Sequence, residues 1–343
     1  MAGELSIKMR MLAVYTVLYV IAGLGAAPAS EDHEDVVPKG VFLDSFIKYK
    51  AEYDIVDIMV PMNAINFAAS DSSESESEEF NLKDLTVFFV VADDKDGKRE
   101  DKGLYRYKKG DSKMILATGR SSTASSNNNK LVFFAASDGL YVYNTETDSA
   151  DKYGPITDAI RSIATDETGA TIYIVTDDHK LYKVTNNGEN KELVDDVDDV
   201  VEIVLDNVGN LYYYNTKKEV YIKTSDKIIK ADNLPADPKV IKAIRPPFII
   251  YKTVPMSFDD TVYIVHSNGR SENLGFRFAP DATPTAFGPE AVHVQYYALD
   301  KKLYEFNIKE MKENDVFHNV REKTEKIRNQ ANKSKHTLGA KKD

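Results

Sequence analysis

Paired carboxylates are the residues of this sequence that most readily suggest chemistry, because two adjacent acids can perform proton transfer or hold a divalent cation. Each pair falls between strand-like runs, at a turn. Asp is favoured at turns because its side chain bonds to nearby backbone N–H groups. We therefore interpret the pairs as solvated turns. They are Asp93-Asp94, Asp195-Asp196, Asp198-Asp199 and Asp259-Asp260.

Histidine is the next residue type that could bind a metal or transfer a proton, but the spacing of the His residues does not indicate such a site. The six His residues form neither an HxxH nor an HExxH pattern, and the chain has no Cys. A transition-metal site would have to be assembled from distant segments. The sequence also lacks a GxSxG elbow, a P-loop and a dinucleotide fingerprint. We expect no catalytic residue, no metal and no cofactor, and hence a protein that is not an enzyme.

The elements that would position any site become visible through a repeat. An aliphatic residue followed by Tyr recurs six times, with successive Tyr residues 36 to 42 positions apart. A period of about 40 residues matches a four-stranded propeller blade. The sequence therefore predicts an all-β protein, a six-bladed β-propeller. The marks are Leu104-Tyr105, Leu140-Tyr141, Leu181-Tyr182, Val220-Tyr221, Val262-Tyr263 and Leu303-Tyr304.

A second strand-like run precedes each mark, so the two runs predict the second and third strands of a blade. The runs are Leu85 to Ala92, Lys130 to Ala136, Thr171 to Thr176, Asn210 to Tyr214, Phe248 to Lys252 and Val292 to Ala298. In two blades the turn before this run reads Asp166-x-x-Gly169 or Asp206-x-x-Gly209. We interpret both as structural turns, since Asp caps the turn and Gly supplies a positive φ.

The last repeat has no fourth strand of its own. Residues Gly40 to Tyr49 are strand-like and lie before the first blade. Pairing this N-terminal segment with the last blade removes an open sheet edge. We therefore expect the ring to be closed by an N-terminal strand.

Residues 1–29 have the pattern of a signal peptide. Lys8 and Arg10 precede an apolar run from Met11 to Ala22, and Ala27-Pro28-Ala29 resembles a cleavage site. The interpretation as a membrane anchor is less favoured because the run is shorter than the roughly 20 residues of a bilayer span. We expect a secreted, extracellular protein whose propeller occupies residues 30–313.

Two polar segments fall outside the period. Residues 70–79 form an acidic loop in which Ser72 and Ser77 each have Glu two positions later, a pattern favoured by secretory-pathway kinases. A plain solvated loop and a phosphorylated, weakly calcium-binding one both remain open. Residues 314–343 are expected to be a charged, partly disordered tail, and its Asn332 is a candidate glycosylation site.

The formal net charge of −11 bears on partners. An acidic surface has no general attraction for phosphate backbones or anionic lipids. We expect neither nucleic acid nor membrane as a partner, and we expect a monomer.

Three stretches resemble the insect (lepidopteran) ommochrome-binding proteins: residues 139–156 (GLYVYNTETDSADKYGPI), 170–197 and 203–215. The resemblance implies a secreted haemolymph protein that carries an ommochrome, a small aromatic pigment. A more distant resemblance links the blades to the regucalcin and gluconolactonase propellers. Their E-G-P motif is absent from the first inner strand, which starts at Glu52, and their Asn is missing near Ile160-Arg161. A gluconolactonase-like hydrolase that has lost its site, or a protein-interaction propeller, remains the alternative.

A small aromatic ligand would bind at the channel mouth where loops enter the inner strands, since closed β architectures place their concavities at strand ends. Positively charged side chains there could pair with pigment carboxylates, while aromatic rings stack on the pigment. The candidate ligand-binding residues are Tyr53, Arg161, Glu202, Lys242 and Phe287.

Overall fold

The computed structural model describes residues 35–61, 85–95, 98–127, 131–247, 250–290, 294–307 and 311. The predicted signal peptide, acidic loop and C-terminal tail, with Ser72, Ser77 and Asn332, lie outside these described residues. No helix within the described ranges is both long and apolar enough to cross a lipid bilayer.

The chain begins with two short strands that belong to blades formed much later, β1 (Asp35–Val37) and β2 (Ile47–Lys50). Four-stranded antiparallel sheets then follow one another in sequence order. Blade one contains β3 (Asp54–Met59), β4 (Thr86–Lys95), β5 (Lys98–Lys108) and β6 (Asp111–Leu116). Blade two contains β7 (Gly119–Ala124), β8 (Val132–Ala136), β9 (Gly139–Asn144) and β10 (Ser149–Lys152). Blade three contains β11 (Ile160–Thr165), β12 (Ile172–Thr176), β13 (Leu181–Thr185) and β14 (Asn190–Leu193).

The second half of the ring has the same organisation. Blade four contains β15 (Val200–Leu205), β16 (Leu211–Asn215), β17 (Val220–Lys223) and β18 (Ile228–Lys230). Blade five contains β19 (Ile241–Ala243), β20 (Thr253–Phe258), β21 (Thr261–His266) and β22 (Ser271–Phe278). Blade six contains β23 (Ala286–Gly288), β24 (Val294–Leu299) and β25 (Lys302–Asn307), and β2 is its fourth strand. The predicted six-bladed β-propeller is confirmed.

The aliphatic-Tyr marks all lie on the third strand of a blade, as predicted. The aliphatic residue of each mark is at most 2% exposed, because it is packed between neighbouring sheets. The following Tyr points to the other face of the strand and is buried or half-buried. The repeated Tyr is therefore part of the packing of the ring.

The hydrophobic core is divided into six clusters, one between each pair of neighbouring blades. Between blades two and three, for example, Phe133 and Ala135 pack with Ile163 and Ile174. The cluster between blades six and one joins Tyr296 and Leu303 to Ile55 and Phe89. Apolar contact therefore continues around the full circle, which is what a closed ring requires.

An N-terminal strand closes the ring, as predicted, but this strand, β2, is shorter than the predicted segment Gly40 to Tyr49. Ile47 pairs with Tyr304 and Lys50 with Lys302 in antiparallel register. The preceding residues 39–41 and 44–46 form single 3-10 turns and not the extended strand that was predicted from Gly40 onwards. In addition β1, which was not predicted, lies parallel to β22 at the outer edge of blade five, with Asp35 opposite Phe276.

The second strand of blade five was placed wrongly. We predicted Phe248 to Lys252, whereas the strand is β20 and residues 250–252 are not in a strand. Pro255 lies within β20, and proline argues against a central strand because it cannot donate a backbone hydrogen bond. The Pro255 carbonyl accepts a hydrogen bond from the N–H of Ile244, 3.0 Å away and just after the end of β19. The missing N–H of Pro255 lies on the same side of the strand, so its loss falls where the pairing with β19 has already ended.

Candidate functional site

The six inner strands β3, β7, β11, β15, β19 and β23 surround the channel, and register identifies an equivalent position on each. The residue at this position pairs with a residue of the second strand, which in turn pairs with the aliphatic residue of the mark. The same holds in blades four to six. We call these six residues the inner ring. They are Asp57, Ser121, Ser162, Glu202, Lys242 and Ala286.

Inner-ring side chains connect neighbouring blades. Asp57 Oδ2 accepts a hydrogen bond from the N–H of Ser122 at 3.0 Å. Likewise Ser162 Oγ accepts from the N–H of Ile203 at 3.1 Å. Glu202 Oε2 accepts from the N–H of Ala243 at 3.3 Å. In each case the donor follows the inner-ring residue of the next blade, so these polar side chains satisfy backbone groups that the sheets leave unpaired.

Arg245, just after β19, extends across the channel to blade one. Its Nη1 donates to Asp57 Oδ1 at 3.1 Å and to the carbonyl of Ile58 at 2.8 Å. Its Nη2 donates to both Asp57 oxygens, at 3.1 and 3.2 Å, and to the carbonyl of Ser122. Both charged side chains are about one-fifth exposed. The guanidinium therefore joins blades five, one and two.

Three of the five predicted site residues lie close together in the channel. Burial raises the pKa of Glu202, and the positive charges of Lys242 and Arg245 oppose that shift. Tyr214 lies beside Glu202, and burial followed by the Glu202 charge holds the pKa of Tyr214 well above its ordinary value. Arg161 also influences Tyr214 electrostatically. Arg161, Glu202 and Lys242 thus share one charged environment on blades three, four and five.

Arg161 has a second partner in His179. Arg161 Nη1 lies 3.1 Å from His179 Nε2, and His179 Nδ1 lies 2.9 Å from the carbonyl of Val200. If Nδ1 carries the proton, it donates to Val200 and Nε2 accepts from Arg161. This arrangement orients the guanidinium at the amino ends of the inner strands.

The structure places the two aromatic candidates elsewhere. Phe287 on β23 is 6% exposed and packs in the core between blades five and six, with the ring of Tyr297 5.9 Å away. Tyr53 precedes β3, and Lys102 Nζ lies 4.7 Å from the centre of its ring. Neither ring is brought near the charged group of Arg161, Glu202 and Lys242 in any contact of the described residues. A ligand contact for each of the five residues stays a prediction.

A cavity of about 790 Å³ opens at the opposite end of the inner strands, among their carboxyl ends and the turns that follow. We call it the carboxyl-end cavity. Its lining combines aliphatic residues of the inner strands with polar residues, which are mostly at the turns that follow. None of the five predicted residues is among those that line it. Blade one contributes Met59 and Val60, and blades three and four contribute Ile163, Ala164, Ile203, Val204 and Leu205.

Glu290 and Arg245 are charged residues at the inner side of this cavity. Glu290 is 8% exposed, and neither carboxylate oxygen has a hydrogen-bond partner among the described residues. Among the described residues, Arg245 is a charged neighbour, with Nη1 3.8 Å from Oε1. Burial raises the pKa of Glu290 to about 8, although the Arg245 charge and the nearby backbone N–H groups of Glu290 and Val60 oppose this. A buried carboxyl group therefore lies beside the cavity.

The rim of the cavity includes both predicted Asp-x-x-Gly turns. Asp166 accepts hydrogen bonds from the N–H groups of Thr168 and Thr171, at 3.0 and 3.1 Å. Asp206 accepts from the N–H groups of Val208 and Asn210, at 3.0 and 2.9 Å. Gly169 and Gly209 have φ angles of 77° and 85°. The structural interpretation of these turns is confirmed.

Within the described ranges, no group of three or more His, Asp or Glu side chains is arranged to hold a metal ion. Among the paired acids, Asp259 Oδ1 accepts from the N–H groups of Lys239 and Val240, both at 2.8 Å. Other members bind side chains: Asp196 pairs with Lys223, Asp199 accepts from the Thr216 hydroxyl and Asp260 pairs with Arg277. The predicted turn at Asp93-Asp94 is wrong, because both residues lie within β4.

Sequence reasoning missed Asp57, Arg245 and Glu290. Asp57 carried a local signal, a charge inside the apolar run DIVDIM of an inner strand. Arg245 and Glu290 carried none, because each stands outside a strand and its partners are distant in sequence. A charged residue within an inner strand is thus the feature that could have indicated the channel network.

Comparison with known protein families finds no matching family, and no curated protein matches the chain. Several solved structures are similar. A Bacteroides thetaiotaomicron protein of unknown function is 11% identical, with 75% of this chain and 70% of that chain covered and a TM-score of 0.48. PorZ, a surface component of the type-IX secretion system of Porphyromonas gingivalis, is 10% identical, with 76% and 38% covered and a TM-score of 0.46.

A chain of the Mitotic Checkpoint Complex is 9% identical, with 76% of this chain and 92% of that chain covered and a TM-score of 0.49. At these levels of similarity, none of the three structures informs on ligand, activity or partner.

Proposed function

We propose that this propeller is a non-catalytic binding protein whose carboxyl-end cavity holds a small, mainly apolar molecule. The observation that carries the proposal is the cavity itself. Its volume of about 790 Å³ lies within the roughly 300 to 1,000 Å³ of ligand pockets. An aliphatic lining with a few polar groups is the usual composition of such pockets. The propeller fold is consistent with a binding or interaction role.

The proposed ligand is a flat aromatic metabolite, an ommochrome pigment. Support comes from the resemblance of residues 139–156, 170–197 and 203–215 to the ommochrome-binding proteins. Ile163 and Ile203 are among the aliphatic residues that line the cavity and would contribute apolar contacts to such a ring system. Burial of apolar ligand surface stabilises a complex by about 25 cal/mol per Å² before the costs of association are subtracted.

The charged group at the amino ends of the inner strands is proposed as an alternative position, separate from the carboxyl-end cavity, at which pigment carboxylates would be recognised. Arg161 and Lys242 are the cations of this group, and Arg161 is held in place by His179. A guanidinium suits a carboxylate because it can donate two parallel hydrogen bonds. Tyr53 and Phe287 remain proposed stacking residues, although neither ring contacts this charged group in the described part of the structure.

An extracellular location in haemolymph and a monomeric state are part of the proposal. Support for secretion comes from the basic, apolar and small-residue pattern of residues 8–29. Cleavage would leave a mature chain that starts near Ser30. Sequencing the N-terminus of the secreted protein tests this proposal, and recovery of residues 1–20 would contradict it.

Titration with xanthommatin, followed by the visible spectrum and Tyr fluorescence, tests the function. We expect saturable binding at micromolar protein. Ala124→Phe, which fills part of the cavity, should weaken binding at least tenfold. Arg161→Glu should weaken it roughly 5- to 150-fold if a carboxylate is bound there, since an unpaired buried carboxylate costs on the order of 1 to 3 kcal/mol.

The matched control is Leu193→Ala on the outer strand of blade three, where the side chain is 52% exposed. This variant should bind like the unaltered protein. No saturable change with the unaltered protein would remove the pigment-carrier proposal and favour a protein-interaction propeller.

A further inference from the structure

Glu290 has no structural explanation in the described part of the fold. It follows β23, and its carboxylate is buried without a hydrogen-bond donor. Leaving a buried charged or polar group unpaired is unfavourable for folding. Such a group requires an explanation, and a bound water, ion or ligand is one. Glu290 is among the residues that line the carboxyl-end cavity, and a rotation of its buried side chain would bring the carboxylate into reach of a molecule there.

Arg245 does not donate a hydrogen bond to Glu290, although its guanidinium places a positive charge nearby. The Nη1 and Nη2 groups of Arg245 donate to Asp57, to the carbonyl of Ile58 and to the carbonyl of Ser122. The 3.8 Å separation from Glu290 is beyond hydrogen-bond distance. Arg245 therefore contributes a favourable charge at a distance, while the accepting capacity of Glu290 is unused.

The charges around the cavity indicate what the missing partner is. The acidic lining residues are Asp166, Glu167, Asp206 and Glu290, and the cationic one is Arg245. Because Arg245 is already paired with Asp57, the lining has an excess of negative charge. Its walls combine aliphatic side chains with the neutral hydroxyl and amide groups of Thr, Ser and Asn. A complementary ligand carries a positive charge and N–H donors on an otherwise apolar body.

We propose that Glu290 anchors the ammonium group of a small, mainly apolar amine inside the carboxyl-end cavity. This inference rests on the proposed function, because it requires that the cavity bind a small molecule. The ammonium would donate to one or both Glu290 oxygens while the apolar body lies along Ile163 and Ile203. Charge-assisted hydrogen bonds of this kind are about twice as strong as neutral ones.

Anchoring by Glu290 has a characteristic dependence on pH. The pKa of about 8 leaves most of the free protein protonated at Glu290 at pH 7. An ammonium favours the ionised form, so binding releases close to one proton at pH 7. The affinity should rise about tenfold from pH 6 to pH 7 and level off above pH 8. The charged groups that face Glu290 from other elements are Arg245 after β19 and Asp57 on β3.

Two probes that differ only in the head group test the proposal: 2-(1-naphthyl)ethylamine and 2-(1-naphthyl)ethanol. Isothermal titration calorimetry in two buffers of different ionisation enthalpy measures both affinity and proton release. We expect the unaltered protein to bind the amine at least tenfold more tightly than the alcohol. Glu290→Gln should abolish this preference and the proton release while keeping the affinity for the alcohol.

Glu192→Gln is the matched control, because it removes one negative charge from an exposed position on the outer strand β14. It should retain the preference for the amine within twofold, and cooperative thermal unfolding of Glu290→Gln shows that the variant is folded. Equal affinities of the two probes for the unaltered protein would overturn the role of Glu290 and leave the cavity a binding site. Absence of binding by both probes would overturn the proposed function as well.

Discussion

Arg245 and Asp57 form an ion pair between residues 188 positions apart, with their atoms 3.1 to 3.2 Å from one another. The pair connects the inner strand of blade one with the segment after the inner strand of blade five. Asp57 also accepts from the N–H of Ser122 in blade two. Three blades that are separate in sequence are thereby joined inside the channel.

Loss of this pair should destabilise the ring. Arg245→Met leaves the Asp57 carboxylate with Ser122 as its remaining donor, so we expect the free energy of unfolding to fall by about 2 to 4 kcal/mol. The double variant Arg245→Met/Asp57→Asn should lose less than the sum of its single variants, because no uncompensated charge remains. Chemical denaturation measures all three variants, and additive losses would contradict direct coupling.

The side chain of Ser162 should contribute more to the free energy of unfolding than that of Ser121, its equivalent in blade two. Ser162→Ala leaves the N–H of Ile203 buried without an acceptor, which should cost about 1 to 3 kcal/mol of unfolding free energy. Ser121→Ala is the matched control, since Ser121 occupies the same inner-ring position without a described bond to the next blade. We expect a change below about 0.5 kcal/mol there. Similar losses in both variants would refute the role of the inter-blade bond.

Removal of β2, the strand that closes the ring, should strongly destabilise the folded protein. A chain that starts at Ala51 lacks β2 and leaves β25 with an unpaired edge. It also loses the contact of the Tyr49 ring with Phe89, 5.1 Å away, in the core between blades six and one. We expect loss of cooperative thermal unfolding, or aggregation, relative to a chain that starts at Asp35. Equal melting temperatures of the two chains would show that β2 is dispensable.

The buried carboxyl of Glu290 should make stability depend on pH. Its pKa is raised from 4.5 to about 8 in the folded state, so the folded protein holds this proton more tightly than the unfolded chain does. Glu290 therefore does not lower the free energy of unfolding below pH 4.5. Between pH 4.5 and 8 it lowers this free energy progressively, and above pH 8 the loss is constant. The slope is about 1.4 kcal/mol per pH unit at most.

The measurement compares Glu290→Gln with the unaltered protein by urea unfolding at pH 5, 6, 7 and 8. The free energy of unfolding of Glu290→Gln should rise relative to that of the unaltered protein as the pH increases. Burial of the Gln amide adds an offset that is the same at every pH and does not change this trend. A difference that is the same at every pH would show that Glu290 is ionised in the folded protein throughout this range.

The fold could be predicted from the sequence because its strongest restraint is local and repeated. A third strand sits between two others, and its aliphatic residue must be buried at the same place in every blade, so the marks recur with a regular period. Blade five shows the limit of this reasoning. The proline in β20 contradicts local strand preference, and only the pairing of Thr253–Phe258 with both neighbours makes that segment a strand.

The candidate site was less predictable, because its residues acquire their environment from distant blades. Arg161, Glu202 and Lys242 could be anticipated as channel residues since they lie on inner strands. Phe287 also lies on an inner strand, yet its side chain faces the core, which alternation alone could not decide. Glu290 is buried by elements from blades one and five, and nothing near it in sequence indicates this.

The pairing of β2 with β25 has a consequence for synthesis on the ribosome. Ile47 cannot pair with Tyr304 until that residue has been synthesised, about 250 residues later. At roughly 5 to 20 residues per second, that interval is on the order of 10 to 50 seconds. During this time the early blades expose an open edge and an uncovered face to the crowded interior of the cell. Chaperones that shield apolar surfaces would therefore act longest on blade one, the first blade to be made and the last to gain its second neighbour.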